Sequence, residues 1–300
     1  LITILKYKNC QRIIKTKSKT FMMLKKYLSC LVASGLLFTL GAQTVPEVDW
    51  EELGKTQPWK ATEQWEPVPP KVTPGIYAAP PSDAIVLFDG KDLSQWHRPK
   101  YDYGVNMETV EAIINVKTNF PEHSAPKWQV KEGALIVEPG TGAIETKQAF
   151  GDVQLHIEWL APVDPGKKDQ GYSNSGVFFM GLYEVQILNS YENETYPNGQ
   201  AGAVYKQHIP LVNASRPPGE WQAYDIVFTA PRFNEDGTLK SPAYLTAFHN
   251  DVLIQNHVEL KGPAIYIGKP SYVPHPEKMP ILLQDHGNRV RFRNIWIREL

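Results

Sequence analysis

The feature that most constrains this chain is a rhythm. From Ala84 to Leu300, short runs of β-branched and aromatic residues alternate with turn residues, and no stretch sustains a convincing amphipathic-helix pattern. The runs read as strands over 85–88, 128–131, 134–137, 144–146, 153–160, 175–180, 183–188, 221–230, 244–249, 252–259, 281–285 and 290–299. Turn pairs sit between them where hairpins need them: Glu132-Gly133, Asp236-Gly237, Asn250-Asp251 and Gly287-Asn288. Many short strands joined this way predict an all-β chain folded as an antiparallel jelly-roll β-sandwich. Residues 98–126 break the rhythm and read as a long inserted loop.

The N-terminal part reads differently. The chain starts at Leu1 and has no Met before Met22, so residues 1–21 read as an upstream extension. Residues 22–42 carry Lys25 and Lys26, an apolar run from Tyr27 to Leu40, and the small residues Gly41 and Ala42. That is a signal-peptide pattern, and the run is shorter than the roughly 20 residues of a spanning helix. An exported protein, periplasmic or extracellular, with no membrane span in its mature form, is the expectation. Cleavage near Ala42 removes eight basic residues and no acid, moving the formal charge from −1 to −9. Such an acidic mature chain has no electrostatic footprint for nucleic acid. Both cysteines, Cys10 and Cys30, leave with the signal, which excludes disulfides, a thiol nucleophile and a cysteine metal site. Residues 43–83 are rich in proline and tryptophan and read as an extended arm or linker, with no regular ladder or helix. The β domain then occupies 84–300.

Successive side chains of a strand point to opposite faces. In 153–160, Val153, Leu155, Ile157 and Trp159 share a face, which leaves His156 and Glu158 on the other. In 183–188, Tyr183, Val185 and Ile187 point inward, so Glu184 and Gln186 point outward. Ile281 and Leu283 point inward, so Gln284 and then His286 point outward. In the last strand Val290, Phe292 and Asn294 alternate with Arg289, Arg291 and Arg293. Any one of these outward groups is compatible with a solvated surface. Together they are imidazoles, carboxylates, planar amides and guanidiniums, the groups that move protons and grip sugar hydroxyls. They therefore predict one carbohydrate-handling face, with Tyr172, Phe178, Tyr191 and Tyr205 available to stack on sugar rings. The string Gly171 to Gly176, which includes Asn174, offers either a close backbone approach to substrate or a plain tight turn. No G-x-S-x-G elbow and no helical His pair occurs. No cofactor is predicted, and a divalent metal is left open.

Five strings carry a family resemblance: IVLFDGKDLSQWH (85–97), YSNSGVFF (172–179), YEVQIL (183–188), PPGEWQAYDIVF (217–228) and ILLQDHGNRVRFRNIWIREL (281–300). They resemble the 3-keto-disaccharide hydrolase family, which has a concanavalin A-like jelly-roll fold, and they run in family order from about Ala84 to the end. The resemblance implies cleavage of a mono-, di- or oligosaccharide substrate already oxidised to a ketone at C3, and hence a partner oxidase. The ketone acidifies the C2 proton, so a base can remove it and the C1 oxygen can leave by elimination, with water adding afterwards. On this reading Glu184 and His286 act as acid and base, with Glu158 in reserve. Gln186 and Gln284 orient hydroxyls, as do Asn174 and His156, and Arg291 or Arg293 stands near the enolate oxygen. Two other classes stay open: a conventional glycosidase pairing Glu184 with Glu158, and a lectin-like module that binds sugar without cleaving it.

Overall fold

The computed structural model describes residues 49–101, 103–119 and 121–300. The expected extension (1–21) and signal segment (22–42) lie outside the described residues. Two compact units divide the chain, Leu1–Pro69 and Pro70–Leu300. In the first, helix α1 (Trp50–Thr56) is followed by a 3₁₀ turn over Pro58–Thr62. This corrects the expectation of a helix-free arm. The helix fits between Pro46 and Pro58, and Asp49 caps it by accepting the Glu51 and Glu52 amides at 3.0 Å each.

The second unit is an antiparallel jelly-roll β-sandwich. In chain order its elements are β1 (Ile85–Phe88), β2 (Trp96–Pro99), helix α2 (Met107–Asn119), β3 (His123–Ser124), β4 (Gln129–Lys131), β5 (Ala134–Ile136), β6 (Ile144–Phe150), β7 (Val153–Leu160), β8 (Ser175–Phe179) and β9 (Tyr183–Ile187). They continue with β10 (Trp221–Thr229), β11 (Arg232–Phe233), β12 (Leu239–Ser241), β13 (Tyr244–His249), β14 (Val252–Glu259), β15 (Met279–Leu283) and β16 (Arg291–Glu299). One sheet runs β14-β13-β10-β7-β16-β5-β4, with β1 also on β16; the other runs β3-β2-β6-β15-β8-β9. Strands β11 and β12 form a separate ribbon.

The inward side chains predicted by alternation interlock between the sheets. Phe179 of β8 stacks on Phe228 of β10 at 4.7 Å, and the Tyr224 hydroxyl donates to the Gln186 carbonyl at 2.9 Å. Two of the predicted turns have both central residues at positive φ, Glu132-Gly133 at 55° and 72° and Asn250-Asp251 at 51° and 68°, the backbone that two-residue hairpins require.

The segment predicted as a loop at 98–126 contains α2. Asn106 caps it by accepting the Thr109 amide at 2.9 Å, and Thr109 Oγ1 accepts the Asn106 amide in return. Val110, Ile113 and Ile114, spaced for one helical face, are buried. The apolar face is three residues wide, too short to stand out from the surrounding polar sequence.

Candidate active site

A cleft of about 450 Å³ opens on the outer face of the six-stranded sheet. Its floor is built by β8, β9 and the residue that follows β15. Glu184 and Gln186 project from β9, Phe178 from β8, and Gln284 from just beyond β15. One wall is Tyr103 to Val105 from the inserted segment, and the opposite walls bring Tyr196, Tyr205, Lys206 and Tyr266. These walls explain why Glu184 and Gln186 are buried although they point away from the core.

Glu184 is the central group. Its side chain lies over the backbone of β8, where a β-carbon on Gly176 would fall 2.4 Å from its Oε1. Among the described residues its carboxyl has no ion-pair partner, and desolvation pushes its pKa well above the ordinary carboxylate range. Gln284 is clamped through its backbone: its amide donates to the Gly176 carbonyl at 3.0 Å, and its carbonyl accepts from Ser175 Oγ at 2.7 Å. Its side-chain Oε1 is buried without a hydrogen-bond partner among the described residues, a cost that a ligand donor would relieve.

Gln186 is oriented by a relay. Its side-chain amide donates to Asn174 Oδ1 at 3.1 Å, Asn174 donates to the Gln170 carbonyl at 2.8 Å, and Gln170 donates to Thr195 Oγ1 and the Gly199 carbonyl at 3.0 Å each. Asn174 therefore positions the floor and also lines the cleft, and Ser173 at φ 57° makes the turn that allows it. His286, exposed, stands at the cleft rim. The Lys206 ammonium lies 4.0 Å from the Tyr266 ring centre and donates to the Tyr266 carbonyl at 2.8 Å, while the Tyr196 and Tyr205 hydroxyls meet at 3.0 Å. Burial raises the Tyr205 phenol above its usual value, so it is a neutral hydrogen-bonding group.

The structure brings together Glu184, Gln186, Gln284, His286 and Asn174, and it separates the remaining candidates from them. His156 and Glu158 on β7, and Arg291 and Arg293 on β16, belong to the eight-stranded sheet and face outward on the opposite side of the sandwich. The expectation of one shared face is corrected accordingly, and the Glu184–Glu158 pairing is excluded by geometry. On that other face His156 is 2% exposed; its Nδ1 meets Asp225 Oδ1 at 2.7 Å, and it stacks on Trp296 at 5.2 Å. Burial opposes its charge, but the Asp225 and Glu158 carboxylates prevail and raise its pKa to about 9. Burial likewise opposes charge on Glu158, yet hydrogen bonds from His156, Asn294 and Arg293 hold it at about 2. Arg293 donates to Glu158 at 2.6 Å, and Arg291 is tied to Glu132 at 3.0 Å.

The preceding chain is strapped over this network: the Ala78 carbonyl accepts from Asn294 and from Trp296 Nε1 at 2.9 Å each, and Asp83 pairs with Arg298. It is a structural ion network beneath a strap. Asn294, expected to point inward, joins its outer side because a bulge with φ 47° shifts the register between Arg293 and Trp296.

Of the aromatic residues expected to stack on sugar, Phe178 and Tyr205 line the cleft; Tyr172 is instead buried, its hydroxyl accepting the Asp164 amide at 3.1 Å, and Tyr191 lies away from the lining. Tyr103, Tyr196, Lys206 and Tyr266 escaped sequence reasoning because they come from loops, where no periodicity marks which residues converge.

A jelly-roll sandwich whose outer face holds a buried carboxyl, side-chain amides and a wall of tyrosines is the form of a carbohydrate-active protein. The chain belongs to the family of 3-keto-alpha-glucoside-1,2-lyase-like domains, whose family model matches residues 83–298. A solved protein from Parabacteroides distasonis, described as a candidate glycosyl hydrolase, is 45% identical over 80% of this chain and 96% of its own, with a TM-score of 0.69. Two further candidate glycosyl hydrolases from that organism align at 18% and 22% identity, covering 73% and 58% of this chain and 94% and 90% of theirs, with TM-scores of 0.48 and 0.42. No curated protein matches the chain. The protein is thus glycosyl-hydrolase-like and carbohydrate-active.

Proposed function

We propose that the cleft cleaves glycosides carrying a ketone at C3, by elimination across C1 and C2. The observation that carries this reading is the Glu184 carboxyl, buried in the floor of the cleft and raised in pKa with no counter-ion among the described residues. A carboxyl whose protonated form is favoured by burial is suited to donate a proton to a leaving oxygen. His286 at the rim is the complementary base. It takes the C2 proton, and the C2–H electron pair passes into an enolate across C2 and C3. The ketone re-forms, a C1–C2 double bond appears, and the C1–O bond breaks with its electrons on the departing oxygen, which takes the Glu184 proton. Proton exchange with solvent resets both groups.

The arginines expected beside the enolate are on the other sheet, so the amides of Gln284 and Gln186, with Lys206, are the donors within the cleft. Among its described lining residues Glu184 is the sole carboxylate, which favours elimination over a two-carboxylate mechanism. The reading requires an upstream enzyme that oxidises C3. It also takes the chain as exported, on the pattern of residues 22–42.

The test is to incubate the protein with a glucoside and with its 3-keto counterpart, each carrying deuterium at C2, following release of the leaving group and loss of that deuterium to solvent. Cleavage of the keto form alone, with an unsaturated product, is expected. Equal cleavage of both forms would overturn elimination, and cleavage of neither would return the cleft to a binding role.

A further inference from the structure

The outer face of the six-stranded sheet carries a second polar cluster. The strand register runs Glu184, Phe178, Leu282, Glu145, His97 across five neighbouring strands. Glu145 thus lies three strand spacings from Glu184, about 14 Å at the usual interstrand distance. Between them Phe178 and Leu282 form an apolar bridge, with Tyr103 stacked on Phe178 at 5.8 Å. The cluster and the cleft share a face but are separate places on it.

Three neighbouring strands supply the cluster: His97 from β2, His123 from β3 and Glu145 from β6. His97 Nε2 is 3.1 Å and His123 Nε2 is 3.6 Å from the same carboxylate oxygen, Glu145 Oε1. The two imidazoles stack at 3.6 Å with their planes 22° apart, and all three donor atoms lie within 4.8 Å of one another. Glu145 is 1% exposed, and its other oxygen is held by the Lys117 ammonium from α2. That ion pair already balances the buried carboxylate. A hydrogen bond from His97 Nε2 accounts for one imidazole at the remaining oxygen, but neither contact gives a reason for His123, beyond hydrogen-bond reach at 3.6 Å, to turn its Nε2 onto the same oxygen.

A metal gives that reason. Donors bound at zinc-ligand distances in a tetrahedral site stand about 3.3 Å apart, and the two observed separations straddle this value. Two imidazoles and one carboxylate are a zinc donor set that leaves a fourth position open, and a cavity of about 130 Å³ adjoins the cluster. His97 precedes the inserted segment and His123 closes it, so an ion here would tie its two ends together. The same segment supplies Tyr103 to Val105, one wall of the cleft.

We propose that His97, His123 and Glu145 bind one divalent transition-metal ion, zinc by donor preference, at the root of the inserted segment. The Lys117 ammonium competes with the ion for Glu145, so removing that charge should tighten binding.

The test strips the full-length protein with a chelator and titrates it with Zn²⁺ against a chromophoric chelator. One equivalent bound more tightly than about 1 μM is expected. His123→Ala, at a partly exposed position where folding should be spared, should weaken it by at least about tenfold. Lys117→Met should tighten it, and His257→Ala, on a distant strand, should leave it unchanged. Zn²⁺ should raise the melting temperature of the wild type more than that of His123→Ala at the same Zn²⁺ concentration. Failure to bind an equivalent in this range, or binding unchanged in His123→Ala, would overturn the proposal and leave the cluster an ion-pair network. The readout is metal affinity, so the outcome is independent of which glycoside the cleft takes.

Discussion

Replacing Gly176 by alanine tests the cleft without replacing any group assigned to the chemistry. Its added β-carbon would lie 2.4 Å from Glu184 Oε1, 3.1 Å from Glu184 Cδ and 2.8 Å from Phe178 Cε2. An ordinary carbon–oxygen contact is about 3.4 Å, so the carboxyl must move by about 1 Å. For stability two effects compete: Glu184 has no ion pair to lose and alanine is the better strand residue, but the buried Phe178 ring must also give by a few tenths of an ångström. The variant should lose about 1–3 kcal/mol of stability and stay folded. For chemistry it is costly, because a misplacement of that size lowers turnover by about 100-fold, or about 3 kcal/mol of transition-state stabilisation. The assay pairs kcat/KM on a 3-keto glucoside with a urea unfolding curve on the same preparation. Loss of turnover in a variant that still unfolds cooperatively, at a somewhat lower urea midpoint, is expected. Turnover within about threefold of wild type in a folded variant would refute the argument that the position of the Glu184 carboxyl limits the reaction.

Glu184→Gln should lower turnover by about 100- to 10,000-fold, and it should be at least as stable as wild type at pH 8, because burial of the ionised carboxyl opposes folding as pH rises above its unfolded value; chemical denaturation at pH 5 and pH 8 checks the sign. The wild-type rate that depends on protonated Glu184 should likewise persist above the ordinary carboxylate range and fall as pH rises through its raised pKa, as a pH–rate profile would read. On the opposite face, the His156 pKa is raised from 6.5 to about 9, so its contribution is complete below pH 6.5 and lost as pH rises through 9, by at most about 3 kcal/mol. Asp225→Asn should flatten that alkaline loss in an unfolding series while leaving glycoside turnover unchanged.

Much of the fold was legible because strand periodicity and turn chemistry are local. Val153–Leu160, Tyr244–His249 and Val252–Glu259 stand where alternation sets them, and Glu132-Gly133 and Asn250-Asp251 adopt the backbone their positions demand. Short elements held by tertiary packing were not legible. Strands β2 and β3 span four and two residues, and α2 is fixed chiefly by Val110 and Ile114 in the main core. The aromatic and cationic wall from Tyr196, Lys206 and Tyr266 was invisible for the same reason.

Alternation did select Glu184, Gln186, Gln284, His286, His156, Glu158 and the arginines as groups pointing away from the core. It identified the residue types suited to sugar chemistry, but it could not say which outward residues share a face. A sandwich has two outer faces, and a period of two distinguishes inside from outside without assigning a strand to either sheet. That assignment depends on strand order, set by how the whole chain crosses between sheets. The tertiary structure therefore decided that Glu184 and Gln284 meet in a cleft while His156 and Glu158 lie in an ion network beneath the Ala78 strap. It also decided the placement of Asn294, because one bulge reverses the in–out count for every residue beyond it.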